Sequence, residues 1–517
     1  MNYNLKLTNN DGFQWSESHG IHLKGYCYIN GKYSDNEEVL AYFSDINSKN
    51  EFFKLLNQVN GCFSIVAEID GNLIAISDMM RSFPLYFAEK NGALYIRDEA
   101  TEIINVTGFK KINHTALIDY LHFECVMYND TLVNGINQIS AMHYIYLEKG
   151  KETPEIGKYM TIYNAKYSIN DKSTAEKKLD SVFEDASVRL VASLKGRTAA
   201  VSLSGGVDSR ACLMMLKSAG YNNVICYTYG VTKSPDTEVA EKVAGLMGYK
   251  YVFIPYDRNL WKKAYKDEYT LTFIKKSHNL SAIAHMESHF IIRRLLKEKI
   301  VPDDSVFFTG HVGVMAKSHF EEDREYTKEE LVETYWKYYG KLYSLRGKRK
   351  KHYSERLSGY IGHKESYSRL DAETAYENAG YGMCRSKHLI NSHRQFEING
   401  CEWRLPLMDY EIMSAFNSMD PSVRDENKNF FTEYIINRTG REIREALFSK
   451  SIFTKVIKNL RNPVYSIMRP WKFLTLGYKA CLLPVFPIRQ YRFMRRFYSY
   501  CALQEIKLIK EWYDLRD

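Results

Sequence analysis

The sequence predicts an α/β protein in which a β-rich N-terminal domain precedes a doubly wound parallel sheet with a helical C-terminal part. Three observations predict it. Residues 1–105 hold short apolar runs between turn signals. From residue 179 to 254 strands alternate with helices, the pattern of a parallel sheet. Within that region the segment Ser204-Gly205-Gly206-Val207-Asp208-Ser209 joins an apolar strand to a helix.

Taken in order, Cys62-Phe63-Ser64-Ile65-Val66-Ala67 and Leu73-Ile74-Ala75-Ile76-Ser77 read as strands, with turns at Asp70-Gly71-Asn72 and Lys90-Asn91-Gly92. Residues 106–170 connect, with a helix over 115–123 and a strand near 144–147. Leu179, Val182, Phe183, Ala186, Leu190 and Leu194 then recur at helical spacing ahead of a strand over 199–203. After the glycine loop come a helix over 209–219, a strand over 224–229, a helix over 237–246 and a strand over 251–254. Residues 259–460 read as mainly helical, and the polar stretch 328–369 as an inserted helical hairpin or lid. The division is 1–165, 166–460 and a basic, aromatic extension over 461–517.

A chain of 517 residues is long enough for two to four domains with real cores. With 45% hydrophobic and 26% charged residues it is globular in composition. The net charge of +9 suits anionic substrates, nucleic acid or a membrane face and chooses among none of them. The nine cysteines show neither CxxC pairing nor metal-ligand spacing, as expected of reduced thiols in a cytosolic protein. The start of the chain lacks the pattern of a secretion signal, and no apolar run approaches a membrane span, so a soluble, cytoplasmic protein is expected.

The loop between strand and helix carries the chemistry. Adjacent glycines let backbone N–H groups approach one anion and tolerate positive φ, and the following helix adds the positive end of its dipole. Ser204 and Ser209 can donate hydroxyl hydrogen bonds, and Asp208 can hold Mg2+ through oxygen. No lysine follows, so this is a different loop from GxxxxGK[ST].

SGGVDS resembles the pyrophosphatase loop of asparagine synthetase-like enzymes, a group that includes β-lactam synthetases and lasso-peptide cyclases. The likeness continues through Tyr227-Thr228-Tyr229-Gly230, Ser234-Pro235-Asp236 and Val239-Ala240. Asn60-Gly61-Cys62-Phe63 and Asp78-Met79-Met80-Arg81-Ser82-Phe83-Pro84-Leu85-Tyr86 are similar to the "GxF … DRxRxxPLYY" region of the family's amidotransferase-like N-terminal domain. Glu402-Trp403-Arg404-Leu405-Pro406-Leu407-Met408-Asp409 is similar to its "ExRxPFLD" segment, and 385–409 resembles a bacterial subgroup found with surface-polysaccharide synthesis. The resemblance implies ATP and Mg2+ as cofactors. It implies Ser204, Gly205, Gly206, Asp208 and Ser209 as the pyrophosphate and metal cradle, Tyr229 on the strand that lines adenine, and Gly310 bordering the ribose. It also implies a lysine that stabilises developing charge, for which Lys450 is the first candidate and Lys455 the second.

Two departures narrow this expectation. Glutamine-using members carry a catalytic cysteine directly after the initiator methionine, and this chain has Asn2, which cannot form a thioester. The family's second metal carboxylate falls on Val314 in Phe308-Thr309-Gly310-His311-Val312-Gly313-Val314, leaving Asp208 alone or with Glu321, Glu322 or Asp323. His311 could face the phosphates or stabilise its turn. His278, His285 and His289 are expected on one helix as ordinary helix residues. The basic, aromatic stretch 465–496 suits either a packed subdomain or contact with a membrane surface or biosynthetic complex.

The expected activity is ATP-dependent amide formation without glutamine hydrolysis. A carboxylate on a small molecule or glycan, such as a uronic acid, would be adenylated and passed to ammonia or an amine, with no nucleic acid involved. A nucleotide-binding scaffold without turnover and a peptide cyclase are the alternatives.

Overall fold

The computed structural model describes residues 1–9, 12–161, 167–230, 232–255, 264–284, 286, 288–311, 318–320, 322–339, 348–362, 364–424, 429–439 and 501–516. The N-terminal strands are β1 (Asn2–Lys6), β2 (Ser16–Ser18), β3 (Ile21–Ile29), β4 (Lys32–Ser34), β5 (Val59–Ile69) and β6 (Asn72–Ser77). They continue with β7 (Tyr86–Lys90), β8 (Ala93–Arg97), β9 (Asn137–Gln138), β10 (His143–Leu147) and β11 (Glu155–Lys158). These build one sheet in the order β1-β8-β7-β9 and a second in the order β11-β10-β6-β5-β3-β2, with β4 on β3.

Period-two alternation explains the layering. On β5 and β6, Ile65, Ala67, Ile74 and Ile76 pack outward on Leu40, Phe43, Phe52 and Leu56 from the helices Asn36–Tyr42 and Lys49–Leu56. Their neighbours Val66, Leu73 and Ala75 point the other way, against Leu85, Phe87, Leu94 and Ile96 of the smaller sheet. The far face of that sheet carries Tyr86 and Ala88 against the helices Ala100–Thr107 and His114–Phe123. The result is helix, sheet, sheet, helix. The turn at Asp70 and Gly71 has φ of 51° and 79°, and the turn at Asn91 and Gly92 has φ of 50° and 72°. Those are the left-handed pairs a tight hairpin needs.

The second sheet system is parallel throughout: β12 (Ala199–Ser202), β13 (Val224–Gly230), β14 (Lys250–Pro255), β15 (Val306–Phe308) and, after the separate antiparallel pair β16 (Tyr326–Thr327) and β17 (Ser366–Tyr367), β18 (Trp403–Arg404). Its order is β14-β13-β12-β15-β18. The long helix Lys172–Ala192 is capped by Asp171, which accepts from Thr174 N, and buries Leu179, Val182, Phe183, Ala186 and Leu190. The polar stretch predicted as a hairpin or lid contains the helices Lys328–Tyr339 and Lys348–Ile361. Leu331, Tyr335 and Leu357 share a buried cluster with Phe123 and Tyr128 of the connecting segment.

One predicted element is corrected. His278 ends the helix Glu268–Ser277 and His289 opens the helix His289–Lys297, so they do not share one. His285 and Glu287 lie outside the described residues. Both described histidines are buried, and burial pushes each down to about 3, so they stay neutral.

Residues 501–513 form a helix that returns to the N-terminal domain. There Ala502 and Ile509 join the core around Tyr86 and Tyr120. Arg516 N donates to Lys110 O at 2.8 Å, and Ile112 N to Arg516 O at 2.8 Å. Among the described residues no helix is long and apolar enough to cross a membrane. The stretch 465–496 lies outside the described residues.

Candidate functional site

In an open parallel sheet, ligands bind beyond the strand C-termini where the order reverses. Here that point lies between β12 and β15. The glycine loop leaves β12 there, and the segment from Thr309 to His311 leaves β15 beside it.

Serine hydroxyls shape the loop. Ser204 N donates to Ser209 Oγ at 3.1 Å, the two hydroxyls are 3.1 Å apart, and Gly206 N donates to Ser204 Oγ at 3.2 Å. Gly206 is the N-cap of the helix Val207–Ser218, at φ −82° and ψ 159°, and no side chain caps that end. The helix therefore presents its positive end with Asp208 and Ser209 in the first turn.

The reason for glycine differs from the expected one. Gly206 is not left-handed, and Gly205 is instead closely approached by Asp236. A Cβ on Gly205 would lie 2.8 Å from Asp236 Oδ1 and 3.2 Å from Asp236 Cα. A Cβ on Gly310 would lie 2.5 Å from Ser209 N and 2.8 Å from the Asp208 carbonyl carbon. Gly310 thus seats β15's exit directly on the first turn of the loop helix. Thr309, next to it, is 2.9 Å from His393 Nε2 through its hydroxyl, and His393 is fully buried and held neutral by that burial. The His311 ring meets His393 edge-on at 5.3 Å, and its Nδ1 is 3.5 Å from Ser392 Oγ.

Asp236 is the residue that sequence reasoning left without a role. It lies in the first turn of the helix Pro235–Leu246, whose Ser234–Thr237 capping box fixes that end. Its carboxylate lies against Gly205, so the N-terminal turns of two helices meet at the loop. The signal was the Ser-Pro-Asp run itself, a cap followed by proline and an acid. Tyr229 follows from strand register: Ser202 pairs with Tyr227, which sets Tyr229 beyond the end of β12, half-buried beside the loop.

The structure brings together Ser204, Gly205, Gly206, Asp208, Ser209 and Gly310. Lys450, Lys455, Val314 and Glu321 lie outside the described residues. Glu322 and Asp323 are exposed, the first 2.8 Å from Arg324 and the second 3.8 Å from Arg369.

Away from the loop, Glu402 is clamped by Arg197 at 2.6 Å and Arg404 at 2.9 Å. Asp409 takes Arg189 at 2.6 Å and Asn60 Nδ2 at 3.0 Å. A buried network also missed from sequence joins His319 to Glu373 and Glu377, each at 3.3 Å, with Arg385 on Glu377. Burial alone would raise Glu377, but Arg385 and His319 hold it down to about 2.

A two-sheet sandwich flanked by helices, followed by a parallel sheet with a glycine loop at its switch point, is a mixed α/β architecture with an amidotransferase-like N-terminal half. Comparisons with known proteins agree. Residues 30–160 match a family described as a glutamine amidotransferase domain. A probable asparagine synthetase [glutamine-hydrolyzing] of Acanthamoeba polyphaga mimivirus is 21% identical over 280 residues, 51% of this chain. The match takes in 42% of that relative's own length. Together these support kinship with asparagine synthetase-like proteins. Among solved structures, a glutamine phosphoribosylpyrophosphate amidotransferase from B. subtilis, complexed with ADP and GMP, aligns over 60% of this chain and 64% of that one. Its identity is 11% and its TM-score 0.20, too low to carry an argument.

Proposed function

We propose that this protein is an asparagine synthetase-like, ATP-dependent amide-forming ligase. A carboxylate attacks the α-phosphorus of ATP, pyrophosphate leaves, and ammonia or an amine displaces AMP from the acyl-adenylate. The observation that carries this reading is the close-packed glycine loop at the sheet's switch point, where a side chain on Gly205 or Gly310 would collide with Asp236 or Ser209. The donor set fits the groups required. Ser204, Gly205, Gly206 and Ser209 would take pyrophosphate, and Asp208 would hold Mg2+, with Asp236 as the nearby second carboxylate in place of the family residue that falls on Val314.

Asn2 leaves glutamine hydrolysis out of the reaction, so nitrogen comes as ammonia or an amine. The acceptor acid we favour is a sugar uronate of a surface polysaccharide, on the strength of the 385–409 resemblance. The test is pyrophosphate release from Mg-ATP with uronates and aspartate, with Asp208→Ala as control. Release above the control supports a ligase; none with any acid rejects it. The valine at position 314 favours one other reading, a protein that binds nucleotide as a scaffold and does not turn it over. ATP binding without release in the same assay would identify that case.

A further inference from the structure

Arg210 follows Ser209 in the helix Val207–Ser218 and is fully buried. Its Nη2 donates to Gly205 O at 2.8 Å, while Nε and Nη1 have no hydrogen-bond partner. Among the described residues no carboxylate pairs with it. Several other buried arginines are compensated by a carboxylate: Arg189 by Asp409, Arg385 by Glu377 and Arg404 by Glu402. Arg81, which lacks a carboxylate, reaches three oxygens on Tyr86, Ser281 and Ser386 instead. An unpaired, buried guanidinium is an expensive arrangement for a fold to keep. Arg210 keeps it directly beneath a loop shaped for an anion.

We infer that Arg210 is the built-in counter-charge for the pyrophosphate-type anion of the 204–209 loop, acting through the Gly205 carbonyl as a positioning residue. This rests on the nucleotide-loop reading above. The peptide joining Gly205 to Gly206 is planar and trans, so an oxygen drawn to Arg210 turns the Gly206 N–H the opposite way. That N–H meets Ser204 Oγ at 3.2 Å, which fixes the hydroxyl that lines the loop. The guanidinium therefore sets loop geometry and offsets anion charge through a low-dielectric layer. Its stabilising partner arrives only with the ligand.

The inference separates binding from stability in opposite directions. Calorimetric titration of the full chain with pyrophosphate and Mg2+, and melting of the ligand-free protein, read the two. Arg210→Met removes the charge at similar volume. It is expected to melt no lower than wild type yet bind pyrophosphate about ten- to a hundredfold more weakly, the span of one charge-assisted hydrogen bond. Arg210→Lys, with charge but no fork, falls between the two.

If wild type binds and Arg210→Met binds equally well, the inference fails while the nucleotide loop stands. A lower melting point for Arg210→Met, with affinity restored on cooling, marks an ordinary structural arginine and also overturns it. Absence of pyrophosphate binding by wild type sinks both readings. Should Arg210→Met fail to fold, Arg210→Lys decides: weakened binding at an unchanged melting point supports the inference, and unchanged binding rejects it.

Discussion

The N-terminal sandwich and the parallel sheet both keep their architecture, but they differ in what happens at the position where chemistry would occur. In the sandwich, alternation is intact through β5 and β6, and Asp78 still accepts from Phe63 N, Met80 N and Ser82 N at 2.8–2.9 Å. Yet on the function proposed above, Asn2, exposed on β1 and paired with Ala93, takes no part in the reaction. In the parallel sheet the backbone around Gly310 is packed so closely that a side chain there would force the loop helix to move, and Gly205 lies tightly against Asp236. Cores are maintained by many interchangeable apolar contacts, whereas a reaction hangs on single atoms. The sandwich also gives Arg81 to Ser281 and Ser386, outside the sandwich, so its family-like residues serve as joints.

The sharpest way to break this contrast is at the loop. Asp208→Ala is expected to cut pyrophosphate release by about 10²–10³-fold, the scale of one electrostatic group at a reacting centre, with little change in melting. Gly310→Ala should act on both measurements. A methyl 2.5 Å from Ser209 N forces the backbone to shift. The cost is about 1–3 kcal/mol in urea denaturation together with loss of pyrophosphate binding. Normal activity in Gly310→Ala would mean that the approach of β15's exit to the loop is incidental.

Next in size is the joint between the two regions. Asp409 is held by Arg189 and by Asn60 of the sandwich, all buried or half-buried. Asp409→Ala leaves the Arg189 charge with only the more exposed Glu411, and about 3–5 kcal/mol of stability should be lost. If the two regions are one cooperative unit, tryptophan fluorescence and far-ultraviolet dichroism will report a single shifted transition. Two separated transitions would show the sandwich folding on its own.

Much of this was legible beforehand, and the gaps have physical causes. The strands of both regions follow from period two or from apolar runs, and the loop helix from its position after a strand. The expected helix through His278 to His289 fails because local bonds end it. His278 Nδ1 accepts from Leu280 N at 2.9 Å, Asn279 and Leu280 take φ of 39° and 54°, and the chain crosses to bridge Cys125 at Ala282. Apolar periodicity cannot see such a tertiary capture. Arg210 was unreadable for a related reason, and Asp236 was legible only as part of a helix cap, since the meaning of both depends on which helix ends the sheet order brings together.

The return of the C-terminal helix to the sandwich gives a pH test. Glu505 is fully buried, accepts from Ala284 N and Tyr120 Oη at 3.0 Å each, and is pushed by burial from its ordinary 4.5 up to about 8. The folded state thus holds this proton more tightly than the unfolded state. The contribution is complete below about pH 4.5 and falls as pH rises toward 8, then levels off. Glu505→Gln, which resembles the protonated form, should remove a slope of up to about 1.4 kcal/mol per pH unit across that window and leave the variant more stable than wild type above it. Parallel pH profiles for the two proteins would show that Glu505 ionises as easily in the fold as outside it.

The smallest expected effect is at Asn2. Its side chain is exposed on a strand whose register with Ala93 is made by backbone, so Asn2→Ala should change stability by no more than about 0.5 kcal/mol. If the sandwich acts only as a joint, ammonia-supported pyrophosphate release should match wild type, and glutamine should support none in either protein. The informative failure is specific. Should glutamine support turnover in wild type and lose that ability in Asn2→Ala while ammonia still works, the sandwich would hold an amidotransferase site of a different chemistry, and the contrast between the two regions would collapse. A null result at Asn2 beside a large one at Asp208 is what separates a retained fold from a retained reaction.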